Sequence, residues 1–575
     1  MRYLALATDY DGTLATNGRA EEATVRSLER LKASGRKLLL VTGRHLSDLQ
    51  HAFAKLELFD RVVAENGAVL YDPASREERV LAEAPKVEFL DALRAAGVQF
   101  EAGRSIVASW TPAEMAILEV IKRLGLDYQV IFNKGAVMVL PAGINKATGL
   151  RAALEELQLS PHNAVAIGDA ENDHTFLWAS ECGVAVANAL PAVQEKADFV
   201  TRGDHGAGVV ELIEQLLEDD LSSYDERLVR SSLSIGVREG GGRDKEKSEV
   251  RIVPNRSSVL VAGASASGKS SAVAAILEEC EERGYQFCLI DPEGDFEGLA
   301  GAMVVGSSSE QPEAKIVGKA LESKQSLVAN LMSVPLPERP GAFAALLPHI
   351  LETRARTGRP HWLVIDEAHH LLPMTWSPAS SAIPQELGGT ILITVHPEHV
   401  SPAALALVDV VIATGKAAGE TLSEFSLAAQ IAGAKRVTVA PEPGQALVWL
   451  VRRAGEAPVL VQTRRAKAER RRHQRNYAQG ELSPEQSFYF RGPDDKLNLR
   501  AQNLMTFLQV GEGVDEETWL FHARRGDYSR WFETMIKDEE LAARAREIEQ
   551  NGSQGVADAR KKLRAAVESR YTAPA

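Results

Sequence analysis

The decapeptide Leu4-Ala5-Leu6-Ala7-Thr8-Asp9-Tyr10-Asp11-Gly12-Thr13 decides the fold of the first third of this chain. Its apolar half reads as a buried strand, and its second half as the turn that ends it. Side chains two residues apart on an extended backbone point the same way, so Asp9 and Asp11 face a common space. At the C-terminal edge of a parallel sheet, where α/β proteins bind ligands, such a pair can share one reaction. One carboxylate attacks phosphorus in line, while the other protonates the leaving oxygen and then activates water. Gly12 permits the sharp turn that keeps the two close.

Three further apolar runs repeat this pattern, at LLLVTGR (38–44), VVAENGAVLY (62–71) and AVAIGDAEND (164–173). Helical stretches separate them, which predicts a parallel sheet over residues 1–218. Thr42 ends one strand, and its hydroxyl and the adjacent N–H groups can hold phosphoryl oxygens. Lys146 can neutralise charge that develops in the transition state. Asp169 and Asp173, with Asp9 and Asp11, offer the hard oxygen ligands that suit Mg²⁺. Arg44 and Asn66 are candidates to touch substrate. Between the third and fourth strands, about residues 84–142, the pattern predicts a duplicated αββ unit. Its helices fall at 86–96 and 112–124, and its strands near 98–101, 105–110, 128–132 and 136–140. This reads as a small cap inserted in the first domain.

A second βα series opens at SVLVAGASASGKSS (258–271), after a predicted hairpin near 232–254. The run Gly263 to Ser270 fits GxxxxGK[ST] in full, between an apolar strand and a helix. Backbone N–H groups around Gly263, Ser267, Gly268, Ser270 and Ser271 can cradle the phosphates of ATP. Lys269 reaches the β- and γ-phosphates, and Ser270 helps hold Mg²⁺. The strand at 363–365 ends in Asp366, a metal ligand through water, and Glu367, which can polarise an attacking water. Thr394 and His396 end another strand, where a γ-phosphate sensor belongs. Arg436 and Arg452 are candidates for a trans-acting arginine. These features place a P-loop ATPase domain over 230–455.

Beyond it, 456–575 reads as a basic linker helix and a mainly helical accessory domain. The run from Arg464 to Arg475 holds seven basic residues (Arg464, Arg465, Lys467, Arg470, Arg471, Arg472, Arg475). A solvated helix explains it better than a nucleic-acid patch, because the chain's net charge of −14 repels phosphate backbones. The aromatics Phe488, Tyr489, Phe490, Trp519 and Trp531 read as core, and His522 with Asp527 as a structural pair.

A length of 575 residues suggests three or four domains. The three cysteines form no CxxC pair, which argues against a disulfide framework or a zinc–thiolate site. The early Asp9 is incompatible with a signal peptide, and no apolar run approaches bilayer-spanning length. The expected location is the cytoplasm.

The motifs DYDGTL, VTGR, AENGA, INKATGL and GDAENDHTFL resemble the haloacid dehalogenase superfamily, in particular its Cof-type, sucrose-phosphate-phosphatase-like branch. The resemblance covers residues 1 to about 215. It implies a Rossmann-like domain with a small αββαββ cap and Asp9 as nucleophile. Asp11 becomes the acid/base, Thr42 and Lys146 phosphate ligands, and Asp169 and Asp173 metal ligands. The second series resembles the HerA/FtsK-type branch of P-loop ATPases through AGASASGKS, IDPEGDF (290–296) and VIDEAHH (364–370). Those relatives are often hexameric, so a homo-oligomer is expected through this domain.

The leading functional reading is a Mg²⁺-dependent phosphatase acting on a small phosphorylated metabolite such as a sugar phosphate. A fused ATP-hydrolysing domain regulates or assembles it. The alternatives are an ATP-driven motor or nucleic-acid-processing protein with the phosphatase as effector, and a kinase/phosphatase switch on one metabolite.

Overall fold

A computed structural model describes the chain except residues 134, 226, 240–247, 255, 265–266, 297–298, 300, 376–387, 432–438, 452–456, 467–481, 483–485, 537, 551–554 and 572–575. Arg436, Arg452 and the basic run from Lys467 onward therefore lie outside the described residues. The protein is of mixed α/β class. It forms two compact units, one of Met1–Pro292 with Gly301–Arg465, the other of Glu293–Ala300 with Ala466–Ala575.

Two sheets organise the first unit. In the N-terminal sheet, six parallel strands run in the order Phe199–Val200, Cys182–Ala185, Ala164–Gly168, Ala5–Thr8, Lys37–Val41, Arg61–Ala64. Val69–Asp72 and Glu77–Val80 continue it antiparallel. The central strands Ala5–Thr8 and Ala164–Gly168 are buried at every position, because helices cover both faces. That burial explains why they read as unbroken apolar runs.

The cap is a separate four-stranded antiparallel sheet in the order Glu101–Ala102, Val107–Trp110, Ala136–Pro141, Tyr128–Asn133. Its helices, Val87–Ala95 and Glu114–Leu124, bury Phe89, Leu93, Ile117, Val120 and Ile121 against one face. The first cap strand is two residues long and starts at Glu101, where alternation predicted 98–101.

An eleven-stranded sheet carries the P-loop. The hairpin Leu233–Arg238 and Glu249–Ile252 joins its edge through Val459–Thr463. In its parallel part, Thr390–Thr394 lies between Ser258–Ala262 and Trp362–Ile365.

The two sheets' domains interlock inside this unit. Buried Glu181 pairs with Arg2 at 2.9 Å and His162 at 2.7 Å, and accepts the Tyr285 hydroxyl at 2.8 Å from the P-loop side. His162 stacks on Tyr285 with 3.8 Å between centroids, and Arg359 donates to the Gln158 carbonyl at 2.8 Å.

In the second unit, helices Leu504–Gly513, Glu516–Arg525, Asp527–Thr534, Glu539–Gln550 and Val556–Tyr571 accompany one short hairpin, Phe488–Phe490 with Leu499–Ala501. Phe488, Phe490, Trp519 and Trp531 are buried there. His522 meets Asp527 at 2.9 Å through Nδ1 and accepts the Arg491 N–H through Nε2, so both ring nitrogens serve the fold. No described helix is long and apolar enough to cross a membrane.

Candidate active site

Asp9 is the first residue past its strand, tied down by its N–H to the Ile167 carbonyl at 3.0 Å. Across the edge, Gly168 ends the neighbouring strand. A Cβ there would sit 2.7 Å from Asp173 Oδ2, so glycine makes room for the Asp173 carboxylate to fold back. Asp173 Oδ2 then accepts the N–H groups of Asp169 and Ala170, both at 2.8 Å. Asp9, Asp169 and Asp173 bring carboxylate oxygens within 4.8 Å of one another, all buried.

Lys146 is the first residue of the helix Lys146–Glu156, whose N-cap Asn145 forms a capping box with Thr148. This helix comes very close to the turn at Glu65–Gly67. A Cβ on Gly67, at φ +103°, would strike the Asn145 carbonyl at 2.0 Å. The close approach aims Lys146 inward, where its Nζ donates to Asp9 Oδ1 at 2.6 Å and Asp173 Oδ1 at 2.5 Å.

Burial pushes the Asp9 carboxyl well above its ordinary range; Lys146 pulls it down, and the Asp173 and Asp169 charges add to the rise. For Lys146, burial works against the ammonium, but Asp173 and Asp9 outweigh it and raise its pKa. Three carboxyl groups converge on one ammonium in a buried site, an oxygen donor set that fits a divalent cation.

The structure sets Asp11 apart from that cluster. Arg44 grips it through two contacts of 2.6 Å, at the exposed side of the site. Thr42 is buried, with its hydroxyl accepting the Arg44 N–H at 3.1 Å. Asn66 is in the left-handed region at φ +53°. It is committed to Asn172, whose Nδ2 donates to its Oδ1 at 2.8 Å, and to the thioether of Met138 from the cap. Glu65 beside it accepts the N–H groups of Arg104 and Ser105 at 3.0 Å, which pins the cap to the sheet edge that carries Asp9. Sequence reading passed over Thr13, Asn172, Glu65 and Met138. Thr13 donates to Asp169 Oδ1 at 3.0 Å. Thr13, Asn172 and Glu65 sit inside the motifs quoted above, whereas nothing in the sequence marks Met138.

In the second site, Lys269 opens the helix Lys269–Glu282 and folds back onto the loop carbonyls of Gly263 and Ala264, each at 2.8 Å. The Ser267 hydroxyl lies 2.6 Å from that of Thr414, fastening the loop to the next strand. Ser270 and Ser271 occupy the helix's first turn. Asp366 is buried at its strand end, its N–H bonded to the Ile290 carbonyl at 3.1 Å. Glu367 adopts φ +44°, a strained conformation of the kind found at functional sites. Thr394, on the intervening strand, receives the N–H of His396 at 3.0 Å and lies 3.0 Å from His369 Nδ1. Burial and the neighbouring histidines push His369 down to about 3, so its ring is neutral near pH 7.

The family model for haloacid dehalogenase-like hydrolases matches residues 6–101 and 116–213, and that for the AAA ATPase domain matches 242–389. A phosphoglycolate phosphatase of Methanothermobacter thermautotrophicus is 32% identical over 222 residues, spanning 37% of this chain and 98% of the relative. One from Halorubrum lacusprofundi is 34% identical over 228 residues, with 37% and 96% covered. A solved haloacid dehalogenase-like hydrolase from Bacteroides thetaiotaomicron is 21% identical, covering 37% of this chain and 99% of its own, at a TM-score of 0.33. Through its N-terminal domain the chain belongs to the haloacid dehalogenase-like hydrolases; it is a phosphatase of that superfamily fused to an AAA ATPase domain.

Proposed function

We propose that the N-terminal domain hydrolyses a small phosphomonoester, phosphoglycolate or a compound of similar size, through an aspartyl-phosphate on Asp9. The observation that carries this reading is the buried group of Asp9, Asp169 and Asp173 bridged by Lys146. Those carboxylates would hold Mg²⁺, whose charge would screen the repulsion between a carboxylate nucleophile and an anionic ester. Asp9 attacks phosphorus. Thr42 and Lys146 hold the phosphoryl oxygens, and Lys146 offsets the charge that builds there. Asp11 protonates the leaving oxygen and then takes a proton from the water that cleaves the acyl-phosphate. Arg44 holds Asp11 through two 2.6 Å contacts, so the acid role of Asp11 requires Arg44 to turn from it to the incoming phosphate. Met138 supports a small substrate: its thioether reaches Asn66 from the cap, beside Gly43 and next to Thr42. The relatives named phosphoglycolate phosphatases support the substrate class.

The AAA domain binds ATP at Lys269 and Ser270, with Asp366 at the metal and Glu367 orienting water, and regulates the phosphatase. The buried contact of Tyr285 with Glu181 and His162 supports regulation, since it gives the two domains a shared rigid element. A screen of phosphorylated metabolites, with and without Mg²⁺ and ATP, tests both parts. Full activity in Asp9→Asn would remove the nucleophile assignment; a rate indifferent to ATP would remove the regulatory one.

A further inference from the structure

We propose that His396, Glu398 and His399 bind one divalent transition-metal ion of the zinc class. Glu398 and His399 lie on the 3₁₀ turn Pro397–His399, and His396 precedes it as its N-cap, just after the strand Thr390–Thr394. The two imidazoles face the same side, with ring centroids 5.0 Å apart. The turn is anchored rather than loose: Pro397 is buried, Ser401 N–H bonds the Leu372 carbonyl at 2.9 Å, and Val400 pairs with Pro373.

Glu398 Oε1 lies 3.0 Å from His396 Nδ1 and 3.9 Å from His399 Nε2, and all three ligand atoms fall within 4.8 Å of one another. Bonds of about 2.0–2.2 Å in a tetrahedron set ligand atoms roughly 3.3–3.5 Å apart, between those two distances. A second observation points the same way. The other carboxylate oxygen, Glu398 Oε2, is buried and has no hydrogen-bond partner among the described residues. Such a group is costly unless a cation balances it. Both imidazoles are about half exposed, which leaves a fourth position for water. Two nitrogens and one carboxylate suit Zn²⁺ and poorly suit Mg²⁺, which asks for an octahedron of oxygens. The site is separate from the carboxylate group around Asp9. It shares its backbone with Thr394, so an ion here steadies the segment leaving the strand between the P-loop and Asp366.

The full-length chain, stripped with chelator, is titrated with Zn²⁺ against a chromophoric competitor in millimolar Mg²⁺, and separately with Co²⁺ for its visible spectrum. The wild type is expected to take up one more equivalent than a His396→Ala/His399→Ala double variant, with a tetrahedral Co²⁺ band that the variant lacks. Glu398→Gln, which keeps both imidazoles, is expected to bind at least about tenfold more weakly. Circular dichroism of the metal-free proteins confirms that the variants fold. Equal stoichiometry in the wild type and the folded double variant, or identical Co²⁺ spectra, overturns the proposal.

Discussion

The two phosphate sites each place a lysine at the start of a helix, and there the likeness ends. Lys146 meets two buried carboxylates, Asp9 and Asp173, that arrive from other strand ends. Lys269 meets two neutral carbonyls of its own loop, Gly263 and Ala264. The first site is an assembly of distant pieces held by charge. The second is a local loop whose donors are written into nine consecutive residues. Without Lys146 the carboxylate group of the first site is left as buried charge that no ammonium balances.

The sharpest way to break the comparison is at Asp9, the proposed nucleophile. Asp9→Asn is expected to lower phosphate release from a phosphomonoester by on the order of 10³–10⁶-fold and leave ATP hydrolysis in place. Loss of both activities would show that the sites are one machine. Next in size, Lys269→Ala is expected to slow ATP hydrolysis by roughly 10²–10³-fold, as removal of one transition-state donor does. Its phosphatase rate should no longer respond to added ATP, measured in the same assay. Lys146→Met separates the sites by stability. The stranded carboxylates should cost roughly 3–5 kcal/mol in chelator, seen as a lower melting temperature of the N-terminal domain, with much of it recovered in Mg²⁺.

The smallest expected effect concerns the element that joins the domains. Glu181 is buried; burial alone would raise its carboxyl, but His162 and Arg2 hold it below the ordinary range. Its folded pKa is therefore depressed, so its stabilising contribution is complete above the unfolded value of about 4.3 and is lost as pH falls through the lower folded value. Melting curves between pH 6 and pH 3 should fall more steeply for the wild type than for Glu181→Gln. Parallel curves would remove Glu181 as the linkage group.

Much of the fold was legible because strands buried on both faces leave unbroken apolar runs. Ala5–Thr8, Ala164–Gly168, Ser258–Ala262 and Trp362–Ile365 all stand where those runs placed them. The cap's αββαββ order was legible as well, from two helical stripes among alternating segments. Its first strand was misplaced because Val98 and Phe100 flank polar Gln99 in the alternation of a strand, yet pairing begins only at Glu101. Asp11 shows the other limit. Its spacing from Asp9 is visible, but the guanidinium that occupies it comes from Arg44 in the turn after the next strand.

By itself, the sequence determined the chemistry that each site offers: carboxylates and a lysine at strand ends in one domain, a glycine-rich loop and an acidic strand end in the other. These are local properties, since a strand that ends in a turn exposes its last side chains wherever it sits in a sheet. Only the tertiary structure decided which groups meet. It brought Lys146 to Asp9 across 137 positions, set Thr394 between the P-loop and Asp366, docked the cap through Glu65, and buried Glu181 against Tyr285. The physical reason is that strand order in a parallel sheet does not follow chain order. Partners are therefore set by packing, and packing also sets the burial that moves each charge from its ordinary pKa.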